Sequence, residues 1–160
     1  MTVPRDSYVL VAFKKRGDFY QGSTSIGDLA LFREDPAQTM RLAADAYTKA
    51  LQEIAHWQEE IELLRNARIP VPAKRAWELG DIVHRLNEVL AAHGCQLENM
   101  YDHFESHAGL GRKWLSKYIT FRRYVDDQNA IPSDLKWNSI EKVTKSAGQS
   151  ITAGLPVGVE

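Results

Sequence analysis

The stretch DPAQTMRLAADAYTKALQEIAHWQEEIELLRNARIPVP, residues 35–72, decides the fold. It opens with Asp35-Pro36, which is typical of a helix start: an Asp side chain accepts hydrogen bonds from free amides, and Pro suits the first helical position. It closes with Pro70 and Pro72, each of which disfavours helical backbone in the residue before it. The sequence therefore predicts one long helix from residue 35 to about residue 68.

Apolar side chains recur along this helix every seven residues, in two sets offset by three. The sets are Met40, Tyr47, Ile54 and Ile61, and Ala43, Ala50, Trp57 and Leu64. The stripe is widened by Leu42, Ala44, Ala46 and Leu51. Because it is wider than a coiled-coil seam, burial in a bundle is at least as well supported as a dimeric coil. The opposite face is acidic, since Asp45, Glu53, Glu59, Glu60 and Glu62 outnumber Arg41 and Lys49.

A second helix is predicted over residues 73–93, with Gly94 as its stop. Its short connection to the first helix predicts an antiparallel helical hairpin over residues 35–94. Beyond it, residues 95–148 read as shorter helices. A helix from Leu97 to Ala108 precedes a glycine-containing break, and a helix over residues 112–125 precedes a turn. A last helix is capped by Ser133 or Asn138 and ends at Gly148.

The two ends of the chain differ from this helical domain. Residues 1–34 contain SYVLVAF, the turn KKRGD and the possible returning strand FYQG, which together predict a small β-hairpin or an extended arm. Residues 149–160 have no periodicity and are predicted to form a flexible tail. The fold class is therefore mainly all-α: a long helical hairpin, a helix-turn-helix-like C-terminal half and a small N-terminal β element.

Length and composition narrow the classes of protein. A chain of 160 residues fits one domain with its own core. No apolar run is long enough to span a bilayer, and the N terminus does not read as a signal peptide. The single cysteine, Cys95, cannot form an internal disulfide, which favours a reducing, cytoplasmic setting. With a net charge of −1, any nucleic-acid binding must come from local clustering of charge.

Such a cluster occurs in GRKWLSKYITFRRYV, residues 111–125, which has five cations and no acid. At about 100° per residue, one face of about 140° collects the polar side chains. They are Arg112, Lys113, Ser116, Lys117, Thr120 and Arg123, with Tyr124 at the margin. The opposite side is apolar, with Trp114, Leu115, Tyr118, Ile119, Phe121 and Val125. These seven polar-face residues are the predicted nucleic-acid-binding site.

A short helix, a glycine-containing break and a second helix with a basic outer face is the layout of a helix-turn-helix, whose second helix enters the major groove. Arg and Lys can neutralise phosphates or read guanine, and Ser and Thr can contact phosphate or base. The same face could instead bind a protein, or could be an ordinary solvated surface whose cations pair with the acidic first helix. All three interpretations remain open at the level of sequence.

Residues 76–140 carry a resemblance. The segments AWELGDIVHRL, LENMYDHFESHAGLGRKWLSKYITFRRYV and LKWNSIEKV are similar to the helical domain that precedes the nuclease domain in some restriction-like PD-(D/E)xK nucleases. The shared features are a glycine-containing helix, a short helix, a glycine turn into a basic helix, and a Leu-x-Trp entry to the last helix. Residues 1–70 have no counterpart. The resemblance implies nucleic-acid targeting and nothing catalytic.

Catalytic and metal-binding patterns are weak. His93, Cys95, His103 and His107 could be combined into a zinc site, but HFESH is not the HExxH signature. Nothing places Cys95 beside a base, and no phosphate-binding glycine motif occurs. Neither an enzyme nor a cofactor or metal is predicted. The four tryptophans, Trp57, Trp77, Trp114 and Trp137, are assigned to packing.

The sequence thus predicts a non-enzymatic nucleic-acid-binding protein, a regulator or accessory subunit that uses residues 112–125, with DNA favoured over RNA. The alternative is a helical adaptor or small subunit of a larger assembly, of a kind that phages or plasmids encode. It would bind a protein partner, or a second copy of itself, through helix 36–68.

Overall fold

The computed structural model describes residues 13–15, 36–97 and 99–156. Within them the elements in chain order are β1 (Phe13–Lys15), α1 (Pro36–Asn66), α2 (Ala73–Ala92), β2 (Cys95–Leu97), α3 (Met100–Ala108), α4 (Arg112–Tyr124), α5 (Trp137–Ile140) and α6 (Thr144–Thr152). A single 3₁₀ turn, Gln128–Ala130, follows α4. The predicted mainly all-α fold is confirmed.

The apolar stripe of α1 forms one side of the core. Tyr47, Ile54 and Ile61 are buried, and Trp57 lies between them and the rest of the core. The matching face of α2 is buried at Ala76, Leu79, Val83, Leu86 and Leu90.

The two helices are antiparallel, as ion pairs across them show. Glu53 of α1 accepts from Arg85 at 3.0 Å, whereas the later Glu60 pairs with the earlier Arg75. Residues later in α1 therefore contact residues earlier in α2. The left-handed backbone of Gly94 (φ 71°) follows α2, as predicted.

Helix α4 lies against both α2 and α6, and glycines make the close approach possible. A Cβ on Gly80 of α2 would lie 2.3 Å from the Tyr118 carbonyl oxygen of α4. A Cβ on Gly148 of α6 would lie 2.7 Å from the Tyr124 Cβ at the other end of α4. Leu115 and Phe121 of α4 are fully buried at this junction.

The prediction of one last helix ending at Gly148 is wrong. The region holds two helices, and Lys136, not Ser133 or Asn138, precedes the first of them as its N-cap. Helix α6 runs through Gly148, so this glycine does not act as a stop. Its lack of a Cβ instead allows α6 to lie in close contact with α4. Ile151 is buried in the core, so the helical domain extends to residue 152, beyond the predicted boundary at 148.

The β elements also differ from expectation. Strand β1 pairs antiparallel with β2, with Phe13 opposite Leu97 and Lys15 opposite Cys95. Leu97 was predicted to begin a helix, but it ends a strand, and α3 begins at Met100. The possible returning strand FYQG, most of the predicted arm and the last four residues of the tail lie outside the described residues.

None of the helices in the described residues combines the length and apolarity that a membrane span requires.

Replacing Ile54 with Ala tests the centre of the stripe. The side chain is fully buried, so we expect a loss of about 2–5 kcal/mol in the free energy of unfolding, measured by denaturant titration. Leu63→Ala on the same helix is the control: Leu63 is 69% exposed, and its loss should stay within about 0.5 kcal/mol. Equal losses of unfolding free energy from the two substitutions would mean that the stripe faces solvent.

Replacing Gly80 with Ala tests the contact between α2 and α4. In an uncrowded helix this change stabilises by about 0.5–1 kcal/mol, because Gly is the poorer helix former. Here the new methyl group would meet the Tyr118 backbone, so we expect destabilisation of at least about 1–3 kcal/mol, seen as a lower Tm. A Tm above that of the wild type would contradict the close approach.

Candidate nucleic-acid interface

The packing of α4 fixes which of its side chains face solvent. Leu115, Tyr118 and Phe121 are buried on one side. On the other side Arg112, Lys113 and Arg123 are exposed, and the remaining polar positions are half-buried. We call the predicted set the basic face: Arg112, Lys113, Ser116, Lys117, Thr120, Arg123 and Tyr124. Its residues lie together on the side of α4 that faces away from α2.

Two of the five cations on α4 are held by carboxylates of the same chain. Lys117 is only 20% exposed, with its Nζ 3.2 Å from Glu141 Oε2, so it does not extend outward with the other cations. Arg122 is 13% exposed; its Nε donates to Asp81 at 2.9 Å and its guanidinium lies over the Trp77 ring. Within the described residues, neither Lys117 nor Arg122 pairs with a carboxylate of the acidic α1. The α1 carboxylates Glu53 and Glu60 pair instead with arginines of α2.

Helix α6 extends the positive surface. Residues 142–156 contain Lys142 and Lys145 and no acid. Both lysines are exposed, and Lys145 Nζ lies 5.7 Å from the centre of the Tyr124 ring, at the margin of the basic face. Lys145 is not among the residues predicted from the sequence, because its position depends on the contact of α6 with α4 at Gly148, a residue that the sequence presents as a helix stop.

The tryptophans do not share one role. Trp57 and Trp137 are buried, and Trp137 stacks on Tyr118 with ring centres 4.9 Å apart. Trp77 is half-buried, and its Nε1 donates to the Val125 carbonyl at 2.7 Å. Trp114 is 47% exposed, so its assignment to packing is wrong. It occupies the first turn of α4, next to the fully buried Leu115.

The exposed ring of Trp114 lies in a groove of about 700 Å³ between the end of α1, the turn before α4, and α5. We call this the tryptophan groove. Its apolar lining comes from Trp57, Ile61, Ile69, Trp114, Tyr118 and Trp137. Its polar lining includes Glu62, Arg65, Asn138 and Glu141. Two backbone hydrogen bonds of 2.8 Å, from Ala73 N–H to the Leu135 carbonyl and from Trp137 N–H to the Val71 carbonyl, hold together the chain segments that begin α2 and α5. Val71 and Trp137 both line the groove.

The histidines of α3 have a structural explanation. His103 and His107 stack with ring centres 5.8 Å apart. Burial raises the pKa of Tyr47, so its hydroxyl stays protonated, and it forms a hydrogen bond of 3.1 Å with His107 Nδ1. This bond joins α3 to α1. Among the described residues, no group of three or more His, Cys, Asp or Glu side chains could hold a metal ion.

Comparisons with known protein families, with curated protein sequences and with solved structures find no match to this chain. The resemblance of residues 76–140 to a nuclease-associated helical domain therefore stays a prediction. The functional proposal rests on the geometry of the chain itself.

Two alanine substitutions test the different roles of the tryptophans. Trp137→Ala should lower the free energy of unfolding by about 3–5 kcal/mol, because the ring is buried against Tyr118 and Phe121. Trp114→Ala should cost about 1 kcal/mol or less, since half of its ring already faces water. Chemical denaturation followed by circular dichroism measures both, and similar losses would mean that Trp114 belongs to the core.

Proposed function

We propose that this protein binds nucleic acid through the basic face of α4 without catalysing a reaction, as a regulator or accessory subunit. One observation carries the proposal. Arg112, Lys113 and Arg123 are exposed together on an acid-free helix whose opposite side is buried in the core. A helix held in this way presents its cations at fixed spacing, which suits a regular array of phosphates.

The charge distribution supports the same partner. The net charge of the chain is −1, but part of its acidic charge is held in ion pairs. Glu60 and Glu78 pair with Arg75, and Asp81 pairs with Arg85 and with Arg122 of α4. Arg112, Lys113 and Arg123 are exposed on an acid-free helix with Lys145 nearby, so positive charge is concentrated locally although the chain is near neutral.

The approach to α4 has a defined geometry. Gly109 ends α3 with left-handed backbone (φ 69°), and the buried Leu110 anchors the turn that leads into α4. Gly111 precedes the helix and has no side chain to cap it, and Glu105 Oε2 lies 3.8 Å from the place of a Gly111 Cβ, so this carboxylate offsets the partial positive charge of the helix N terminus. The order of short helix, glycine turn and basic helix is that of a helix-turn-helix, which favours DNA as the partner.

The adaptor alternative has less support. The stripe of α1 that was assigned to a protein partner is buried against the chain's own core at Tyr47, Ile54 and Ile61. A partner or second copy could use it only by opening that core. Protein binding would have to use the exposed acidic side of α1, at residues such as Asp45 and Glu59.

A double substitution of basic-face cations tests the proposal. Lys113→Ala/Arg123→Ala should weaken binding of labelled oligonucleotides, measured by fluorescence anisotropy over a series of NaCl concentrations. Each lost phosphate contact should reduce the slope of log affinity against log salt by about one. Tm should be unchanged, because both side chains are exposed.

The matched control is Arg41→Ala/Lys49→Ala, which removes the same charge from exposed positions on α1. It should bind nearly as the wild type does. If the two double variants lose affinity equally, the effect is that of net charge and the basic face is not the site. If wild-type affinity does not depend on salt, the adaptor interpretation is favoured.

A further inference from the structure

Trp114 is the residue that the basic face alone does not explain. An exposed indole contributes little to the stability of the core, yet it lies at the end of the groove, with 47% of its surface open to water. Two cations of the basic face reach its ring: Lys117 Nζ is 4.4 Å and Lys113 Nζ is 5.8 Å from its centre. The groove and the basic face are therefore adjoining parts of one surface.

The charges in the groove determine which part of a nucleotide fits. Two carboxylates, Glu62 and Glu141, and one guanidinium, Arg65, line it, so the lining has no excess positive charge that would hold a phosphate. A phosphate would meet carboxylate there, whereas an uncharged base would meet apolar rings. Phosphates are therefore favoured on the basic face, and bases in the groove. This division matches single-strand binders, in which a cationic path follows the backbone and aromatic side chains stack the bases.

A base in the interior of a duplex cannot stack on Trp114, because both of its faces are covered by its neighbours, whereas an unpaired base can. The volume of about 700 Å³ is that of an ordinary small-ligand pocket and exceeds what one base requires. Lys113 is exposed on a flexible stem, so its ammonium can move from the indole to a phosphate, whereas Lys117 stays paired with Glu141.

We propose that a single-stranded segment of nucleic acid is the preferred ligand, with one unpaired base stacked on Trp114 in the tryptophan groove and its flanking phosphates on Arg112 and Lys113. This inference rests on the proposed function and specifies the form of nucleic acid that it concerns.

The test uses the full chain with two labelled probes: oligothymidylate, and a blunt DNA duplex without unpaired bases. Trp114→Leu should bind oligothymidylate about tenfold more weakly, the loss expected for one stacked base. Its affinity for the duplex and its salt slope should be unchanged, because no phosphate contact is removed. Trp114→Phe keeps a stacking ring and should retain most of the single-strand affinity. Oligothymidylate should also quench tryptophan fluorescence in the wild type but not in Trp114→Leu.

The outcomes separate this inference from the proposed function. If Trp114→Leu binds oligothymidylate as the wild type does, while Lys113→Ala/Arg123→Ala loses affinity, then the basic face binds nucleic acid and the stacking proposal is overturned. Equal losses on both probes would also overturn it, since a long blunt duplex offers a face for stacking only at its two ends. If the wild type binds neither probe at low salt, both proposals fall, and the groove is left as a surface for an apolar side chain of a protein partner.

Discussion

The backbone contact between α2 and α4 at Gly80 is the constraint on which the rest of the structure depends. Because Gly80 has no Cβ, the Tyr118 carbonyl and the Arg122 Cβ can approach α2 more closely than they could with any other residue at position 80. Gly148 has the same role against Tyr124 at the far end of α4. Two close contacts on one thirteen-residue helix fix its rotation as well as its position. The rotation then determines which side chains are buried and which cations face outward.

Ion pairing within the chain determines how much of the positive charge stays available. Arg122 points toward α2, where Asp81 and the Trp77 ring surround it. Lys117 is drawn toward α5 by Glu141. Both pairs are partly shielded from water, so the loss of one partner would leave a poorly solvated charge. The exposed cations Arg112, Lys113 and Arg123 lie at the outer side of α4. A near-neutral protein can in this way present a cationic surface.

If nucleic acid binds as proposed, the basic face and the tryptophan groove place two kinds of interaction side by side. Coulomb attraction to phosphates is long-ranged, depends on salt and is insensitive to base identity. Stacking on an indole is short-ranged and requires an accessible base. Lys113 and Lys117 connect the two, since they belong to the basic face and also lie against the Trp114 ring. Leaving a large aromatic ring half-exposed gives up burial that would otherwise stabilise the core, a cost that a binding role would offset.

The sequence by itself determined the elements that depend on local periodicity and strong stop signals. The seven-residue spacing of Tyr47, Ile54 and Ile61 predicts their burial, because residues seven apart lie on the same face of a regular helix. The prolines and Gly94 end the helices through the backbone conformation of adjacent residues, which is also a local effect. Only the tertiary structure decided what depends on neighbours distant in sequence. A helical projection places Trp114 on the apolar side, but it does not record that 47% of this residue stays exposed beside a groove. Gly148 reads as a stop until Tyr124 is seen against it, and β2 becomes a strand because β1 pairs with it. Lys117 likewise looks like its exposed neighbours in the sequence, and only the position of Glu141 distinguishes it. The projection places Arg122 at the edge of the apolar side, but only the structure identifies Asp81 as its partner.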